Sequence, residues 1–276
     1  MKKNKSRFQR FITVIPFGVQ RFMFYRGRRL YGLVVKAISR PGVLAAVTSK
    51  IAERGLDITY CSTRTVKADE RGLILLFIDF TDSEIEPTTL ARELEELEPI
   101  VDVKLIKPKF EGFISDDVSF PLLLDSLRAI ILDETALRGL LVSFREHLGT
   151  GGEAMLYHLG VEVGAMRAAH LFEKAESIGI LDLGGKCQIL SNILTSLGYG
   201  IFKPVKLHRE PPQAILRVYH SIECELGRGA KQPYSQFIRG MLAGFATHCF
   251  KRPMIATETR CIAMGDPYCE FEVKPR

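Results

Sequence analysis

From Leu30 onward the hydrophobic and polar positions fall into a regular order. Leu30 to Ile38 (LYGLVVKAI) reads as a buried strand, and Ser39-Arg40-Pro41-Gly42 reads as the turn that closes it. Val43, Leu44, Val47 and Ile51 then recur at helical spacing up to Gly55. Ile58 to Val66 alternates as a second strand. Gly72 to Phe80 (GLILLFIDF) is apolar on both faces and therefore central. A short acidic helix over Leu90 to Leu97 stops at Pro99, and Val101 to Ile106 alternates again. This βαββαβ order predicts a ferredoxin-like four-stranded antiparallel sheet with two helices on one face.

Residues 107–120 lose all periodicity and mix Lys, Pro, Gly and acids, which marks a boundary with a linker over 110–120. From Pro121 the chain turns helical. Leu122, Leu123, Leu127, Ile130 and Ile131 fit one helix, Ala136 to Leu148 another, and Glu153 to Glu173 a long third. The Gly149-Thr150-Gly151-Gly152 cluster lacks the Gly-Lys-Ser/Thr of a phosphate loop and follows a helix, so it reads as a flexible helix start. Lys186 to Leu197 predicts a further helix, and Ile201 to Leu207 and Ala214 to His220 predict strands turned by Pro211-Pro212. Glu223 to Lys231 reads as a loop. Pro233 opens a helix with Tyr234, Phe237, Ile238, Met241, Leu242 and Phe245 on its apolar stripe. Two short strands, Met254 to Ile262 and Tyr268 to Val273, close the chain around Gly265-Asp266-Pro267.

Composition adds limits. With 276 residues, 46% hydrophobic and 25% charged, the chain suits two ordinary domains with their own cores. No stretch nears the eighteen apolar residues of a membrane span. The six cysteines are scattered and no leader sequence is apparent, so a reducing cytoplasm with free or metal-bound thiols is the expectation. The net charge of +6 is concentrated in residues 1–29, which hold nine Lys or Arg and no acid. Such an arm could meet nucleic acid or anionic lipid, but a solubilising tail running into a first strand is favoured, and its interleaved phenylalanines also suit packing against the body.

The densest chemistry lies near the end. Glu258, Cys261 and Cys269 are three good zinc ligands within twelve positions, with a turn between the cysteines. A hairpin with two buried cysteines explains the same spacing.

Two resemblances sharpen these readings. The βαββαβ order with Arg40-Pro41-Gly42-Val43-Leu44 at its first turn resembles the ACT domain over residues 30–109. That resemblance implies amino-acid binding at Arg40, Gly42, Val43 and Leu44, where free amides and the helix dipole favour a carboxylate. A dimerising scaffold is the other use of the fold. Ser39 and Asp57 stand where the family often has Asp and Asn.

Residues 121–276 resemble the 4-vinyl reductase domain of hydrocarbon-sensing activators, a mixed α/β module related in fold to TRAPP vesicle-tethering subunits. The match rests on Tyr234-Ser235-Gln236-Phe237-Ile238-Arg239-Gly240, Glu258-x-x-Cys261 and Gly265-x-x-x-Cys269. It implies a structural zinc held by Glu258, Cys261 and Cys269 beside an apolar ligand cavity. Met155, Leu159, Met166, Phe237, Met241 and Phe245 are candidates to line that cavity, with plain core the favoured reading for each. Metal-binding members have a cysteine where this chain has Ser235, so the fourth corner falls to Cys224, Cys249, His248 or water, or the metal is lost. Cys224 is favoured for its loop setting.

Together these readings imply a cytoplasmic, homodimeric ligand-sensing regulator that acts through a partner protein, with no catalytic residue assigned. The rival expectations are a metal-dependent enzyme on a small apolar substrate and a non-catalytic assembly adaptor.

Overall fold

The computed structural model describes residues 14–65 and 70–276. The first part of the basic arm and Val66, the last residue of the expected second strand, lie outside them. The chain divides into two compact units, one up to Ile130 and one from Ile131.

In the first unit, β1 (Phe22–Phe24) precedes β2 (Leu30–Ile38), α1 (Val43–Glu53), β3 (Asp57–Arg64), β4 (Arg71–Asp79), α2 (Pro87–Glu95), β5 (Ile100–Ile106) and β6 (Phe113–Ser115). The strands run β3-β4-β2-β5, all antiparallel, with apolar β4 in the interior as its pattern requires. Val43, Val47 and Ile51 of α1 and Leu90 and Leu94 of α2 pack on one face, against Leu33, Val35, Ile74, Leu76 and Ile78.

The opposite face is covered by something the pattern did not reveal. β1 pairs antiparallel with β6, and Met23 and Ile114 from this ribbon close over Val34, Leu75, Phe77 and Ile106. Segments that read as a basic arm and a linker thus supply core residues. Three-residue strands are too short to show a period, but each such burial is worth about 1.5–3 kcal/mol. They also explain why β4 is apolar on both faces.

The stretch after Pro121 corrects the helix expected there. It is a hairpin of β7 (Leu123–Leu124) and β8 (Leu127–Arg128), turned through Asp125 at φ 55°, with Leu124, Leu127, Ile130 and Ile131 exposed. Its leucine spacing mimics a helix without burying a face.

The second unit contains α3 (Glu134–Arg138), a π-helical turn (Gly139–Ser143), α4 (Phe144–Ser177) and α5 (Leu183–Ser196). Then follow β9 (Ile201–His208), β10 (Gln213–Tyr219), α6 (Ile222–Leu226), α7 (Phe237–Phe250), β11 (Met254–Arg260) and β12 (Cys269–Pro275). The sheet order is β11-β12-β10-β9, antiparallel throughout. Gly149, at φ 54° and ψ −135°, breaks α4 where the glycine cluster predicted a helix start.

Helices α4 and α7 meet backbone to backbone. A Cβ at Gly164 would lie 2.1 Å from the Met241 carbonyl oxygen, and one at Gly244 would lie 2.0 Å from that of Val161. Only glycine permits this approach, and Gly160 and Gly240 continue the seam. The seam corrects the expected cavity lining. Met155, Leu159 and Met166 point outward, 51%, 45% and 73% exposed, because α4 buries its glycine face instead. Met241 and Phe245 are buried in the core, with Phe237 packed against it.

Candidate metal centre and ligand cleft

The four residues nominated from sequence converge. One ligand atom each from Cys224, Glu258, Cys261 and Cys269 lies within 4.8 Å of all the others. Cys224 comes from α6, which the sequence pattern read as loop. Glu258 sits on the buried face of β11, in phase with Met254 and Ala256. A register shift after Glu258 and a 3₁₀ turn over Ile262–Met264 then bring Cys261 in as well. Gly265 at φ 102° turns the chain, the Asp266 carboxylate accepts from the Cys261 amide at 2.8 Å, and β12 opens with Cys269.

The distances suit a tetrahedral ion. Cys261 Sγ and Cys224 Sγ are 3.7 Å apart, and Cys224 Sγ is 3.4 Å from Glu258 Oε1. Zinc–sulfur bonds of about 2.3 Å place two thiolates about 3.8 Å apart at tetrahedral corners. Backbone donors serve the outward sides of the ligands. Tyr234 N–H points to Cys261 Sγ (3.5 Å), Ile262 N–H to Cys269 Sγ (3.4 Å), and Ser235 N–H to Glu258 Oε2 (2.9 Å). Outer contacts of this kind orient metal ligands. All three cysteines are fully buried and Glu258 nearly so.

The electrostatics favour a cation. Burial pushes the Glu258 carboxyl up to about 7, despite the Ser235 amide. The thiols are linked. Hydrogen bonding from Cys224 holds the Cys261 thiol far below its ordinary value, and the same bond pushes Cys224 far up. A divalent ion would replace this shared proton set, since its ligands bind deprotonated. The donor set therefore fits zinc by ligand type, spacing and burial.

Ser235 does not fill a corner. Its hydroxyl donates to Glu223 Oε2 at 3.2 Å. Glu223, beside Cys224, caps α7 by accepting from the amides of Gln236 (2.8 Å), Phe237 (2.9 Å) and Ile238 (2.8 Å). Fully buried Glu223 also pairs with buried Arg145, which donates to the carbonyls of Leu141 (2.7 Å) and Tyr234 (2.9 Å) and stacks on the Tyr234 ring. The expected Pro233 start thus moves to Phe237, because the amides of residues 234–236 donate to Cys261, Glu258 and Glu223. Sequence reading missed Glu223 and Arg145. Their partners lie far along the chain, and no local spacing marks them.

Cys249 and His248, the other nominees, lie away from this cluster. They border a cleft of about 330 Å³ at the C-terminal end of α7, with Ala169, Phe172, Leu181 and Lys186 among its walls. Burial pushes the Cys249 thiol up to about 12, which makes it a poor nucleophile. Phe237 and Met241 do not line this cleft.

In the first unit, Gly42 caps α1 at φ 90° with no side-chain hydrogen bond. Val43 is buried and Leu44 is 42% exposed. A Cβ at Gly42 would meet nothing, so the glycine is needed for its conformation alone. Arg40 and Gly42–Leu44 therefore share one turn at a helix start.

Comparison with known proteins agrees with this division. The ACT domain model matches residues 31–99 and the vinyl-4-reductase domain model residues 214–275, a span that includes all four clustered ligands. An uncharacterized protein of Methanocaldococcus jannaschii is 30% identical over 134 residues, 49% of this chain and 74% of that one. Among solved structures, the phenol-responsive sensory domain of the transcription activator PoxR, with phenol, is similar at a TM-score of 0.49. It shares 20% identity and covers 55% of this chain and 79% of its own. A vinyl-4-reductase family protein from Methanocaldococcus jannaschii reaches a TM-score of 0.36 at 22% identity, over 54% of this chain and 83% of its own.

Proposed function

The chain belongs to the vinyl-4-reductase domain family and carries an ACT domain as well, and on that premise we propose that it is a ligand-sensing regulatory protein. In this reading the vinyl-4-reductase unit binds a small apolar or aromatic molecule. Its fold is held by a structural zinc on Cys224, Glu258, Cys261 and Cys269. The observation that carries the metal assignment is the buried Cys₃Glu cluster, in which one ligand atom from each of four residues lies within 4.8 Å of the others, as a tetrahedral site requires. A catalytic zinc keeps one position open for water or substrate. Here Cys224 takes that position, and the neighbouring Glu223 is committed to Arg145 and the start of α7. In this reading the metal supplies folding energy rather than chemistry.

The ACT unit is the proposed amino-acid sensor. Gly42 leaves the start of α1 without a side-chain cap, which suits a ligand carboxylate among Arg40, Gly42, Val43 and Leu44. The regulator works as a cytoplasmic homodimer and passes its state to a partner protein, since ligand affinity in one unit can be coupled to conformation in another. No helix among the described residues is long and apolar enough to cross a membrane.

Native mass spectrometry of the full chain, purified without added metal, tests both parts. One zinc per chain and a small molecule released on unfolding are expected. Metal-free protein with no retained molecule, and no heat on titration with the twenty amino acids, contradicts the reading.

A further inference from the structure

The cleft at the C-terminal end of α7 carries charge that a hydrocarbon site would not need. Its floor and apolar wall come from Ala169, Phe172, Leu181 and Leu183, and its volume of about 330 Å³ accommodates a small molecule. Three cations line it (Lys186, Arg209 and Lys251) against two carboxylates, Glu173 and Glu176. The Lys186 side chain is only 12% exposed and its Nζ lies 4.8 Å from the centre of the Phe172 ring. Its ion-pair partner is Glu176, at 2.6 Å, whose own side chain is 52% exposed. His248 stacks edge-on to Phe172 at 5.4 Å, and burial together with Lys251 and Lys186 holds it below its ordinary value.

We propose that this cleft recognises a small aromatic monoanion, its ring on Phe172 and its carboxylate or phenolate on Lys186. The proposal rests on the reading of this unit as a small-molecule binder and names the ligand class. Glu176 satisfies only one of the three N–H groups of Lys186 in that ion pair, so a neutral ligand filling the cleft would strip water from the others and return no acceptor for them, which is costly for a nearly buried ammonium. An anion supplies that further acceptor by a charge-assisted bond, in competition with the exposed Glu176. The lining carries one net positive charge, so one negative charge balances it. Glu173 and Glu176 oppose a second, which excludes nucleotides and other polyanions.

Calorimetric titration of the full chain with benzoate, and with benzyl alcohol as its neutral counterpart, tests the assignment. Benzoate is expected to bind at least tenfold tighter than benzyl alcohol. Lys186→Met should weaken benzoate tenfold or more and leave benzyl alcohol unchanged. Glu176→Gln, on the exposed partner, should tighten benzoate by about threefold, an effect in the opposite direction that loss of folding does not imitate. Equal binding of both probes in wild type and Lys186→Met overturns the anion assignment while leaving a small-molecule site in place. Silence from both probes also overturns it, and any molecule retained in native mass spectrometry then decides separately whether the unit binds small molecules.

Discussion

The two ends of α7 are built from the same residue types to opposite effect. At its N-terminal end two acids are buried and bonded: Glu223 meets Arg145 and three helix amides, and Glu258 meets a thiol and the Ser235 amide. At its C-terminal end, about 21 Å away along fourteen residues, Lys186, Arg209, Lys251 and two carboxylates border an open cleft. Buried and satisfied polar groups specify one conformation. Charges left beside open space wait for something else. On the present proposal the first end holds the fold and the second receives a ligand.

That contrast can be broken from either side. The largest effect is expected at the metal cluster. Cys261→Ser should abolish zinc binding and lower stability by several kcal/mol, since structural zinc contributes on the order of 10 kcal/mol to small metal-bound folds; metal analysis and a denaturant melt read both. Glu223→Gln leaves Arg145 buried beside a neutral amide and weakens the α7 cap. It should cost about 3–5 kcal/mol in the same melt, while a cost under about 1 kcal/mol would show that the network is ornamental. Ser235→Ala removes one hydroxyl bond to Glu223 and should cost about 1 kcal/mol with zinc content unchanged. At the other end, Lys186→Met should shift the melt least of all, because its ion pair with Glu176 is half exposed.

Acid should separate the ends as well. Thiolates and carboxylate must be deprotonated to hold the ion, so zinc should leave the cluster as pH falls. Zinc release followed with a chelating dye against pH gives the midpoint, and chelator at neutral pH should reproduce the same change in the melt.

Much of this molecule could be read before its fold was known. The βαββαβ unit announced itself through long runs such as Gly72 to Phe80, whose two apolar faces demanded cover on both sides. Glu258, Cys261 and Cys269 were legible because a tight turn puts ligands close in sequence. Cys224 was nominated for a loop setting that the structure replaces with α6, and its approach depends on β10 and β12 pairing, with Val218 opposite Cys269. What stayed hidden was set by tertiary contact. Met23 and Ile114 sit in strands too short to show a period. Met155, Leu159 and Met166 look like a core stripe, yet they face outward because Gly160 and Gly164 claim the contact with α7. The Arg145–Glu223 pair spans 78 positions, and no local pattern connects them.

The identity of the fourth zinc ligand tests the account most directly. Zinc content and melting temperature should be measured for wild type, Cys224→Ser and Ser235→Ala, each purified without added metal. The account predicts one zinc per chain in wild type and in Ser235→Ala, and a zinc-free, less stable Cys224→Ser. Full zinc in Cys224→Ser, or a wild type that contains none and melts unchanged with chelator, contradicts it.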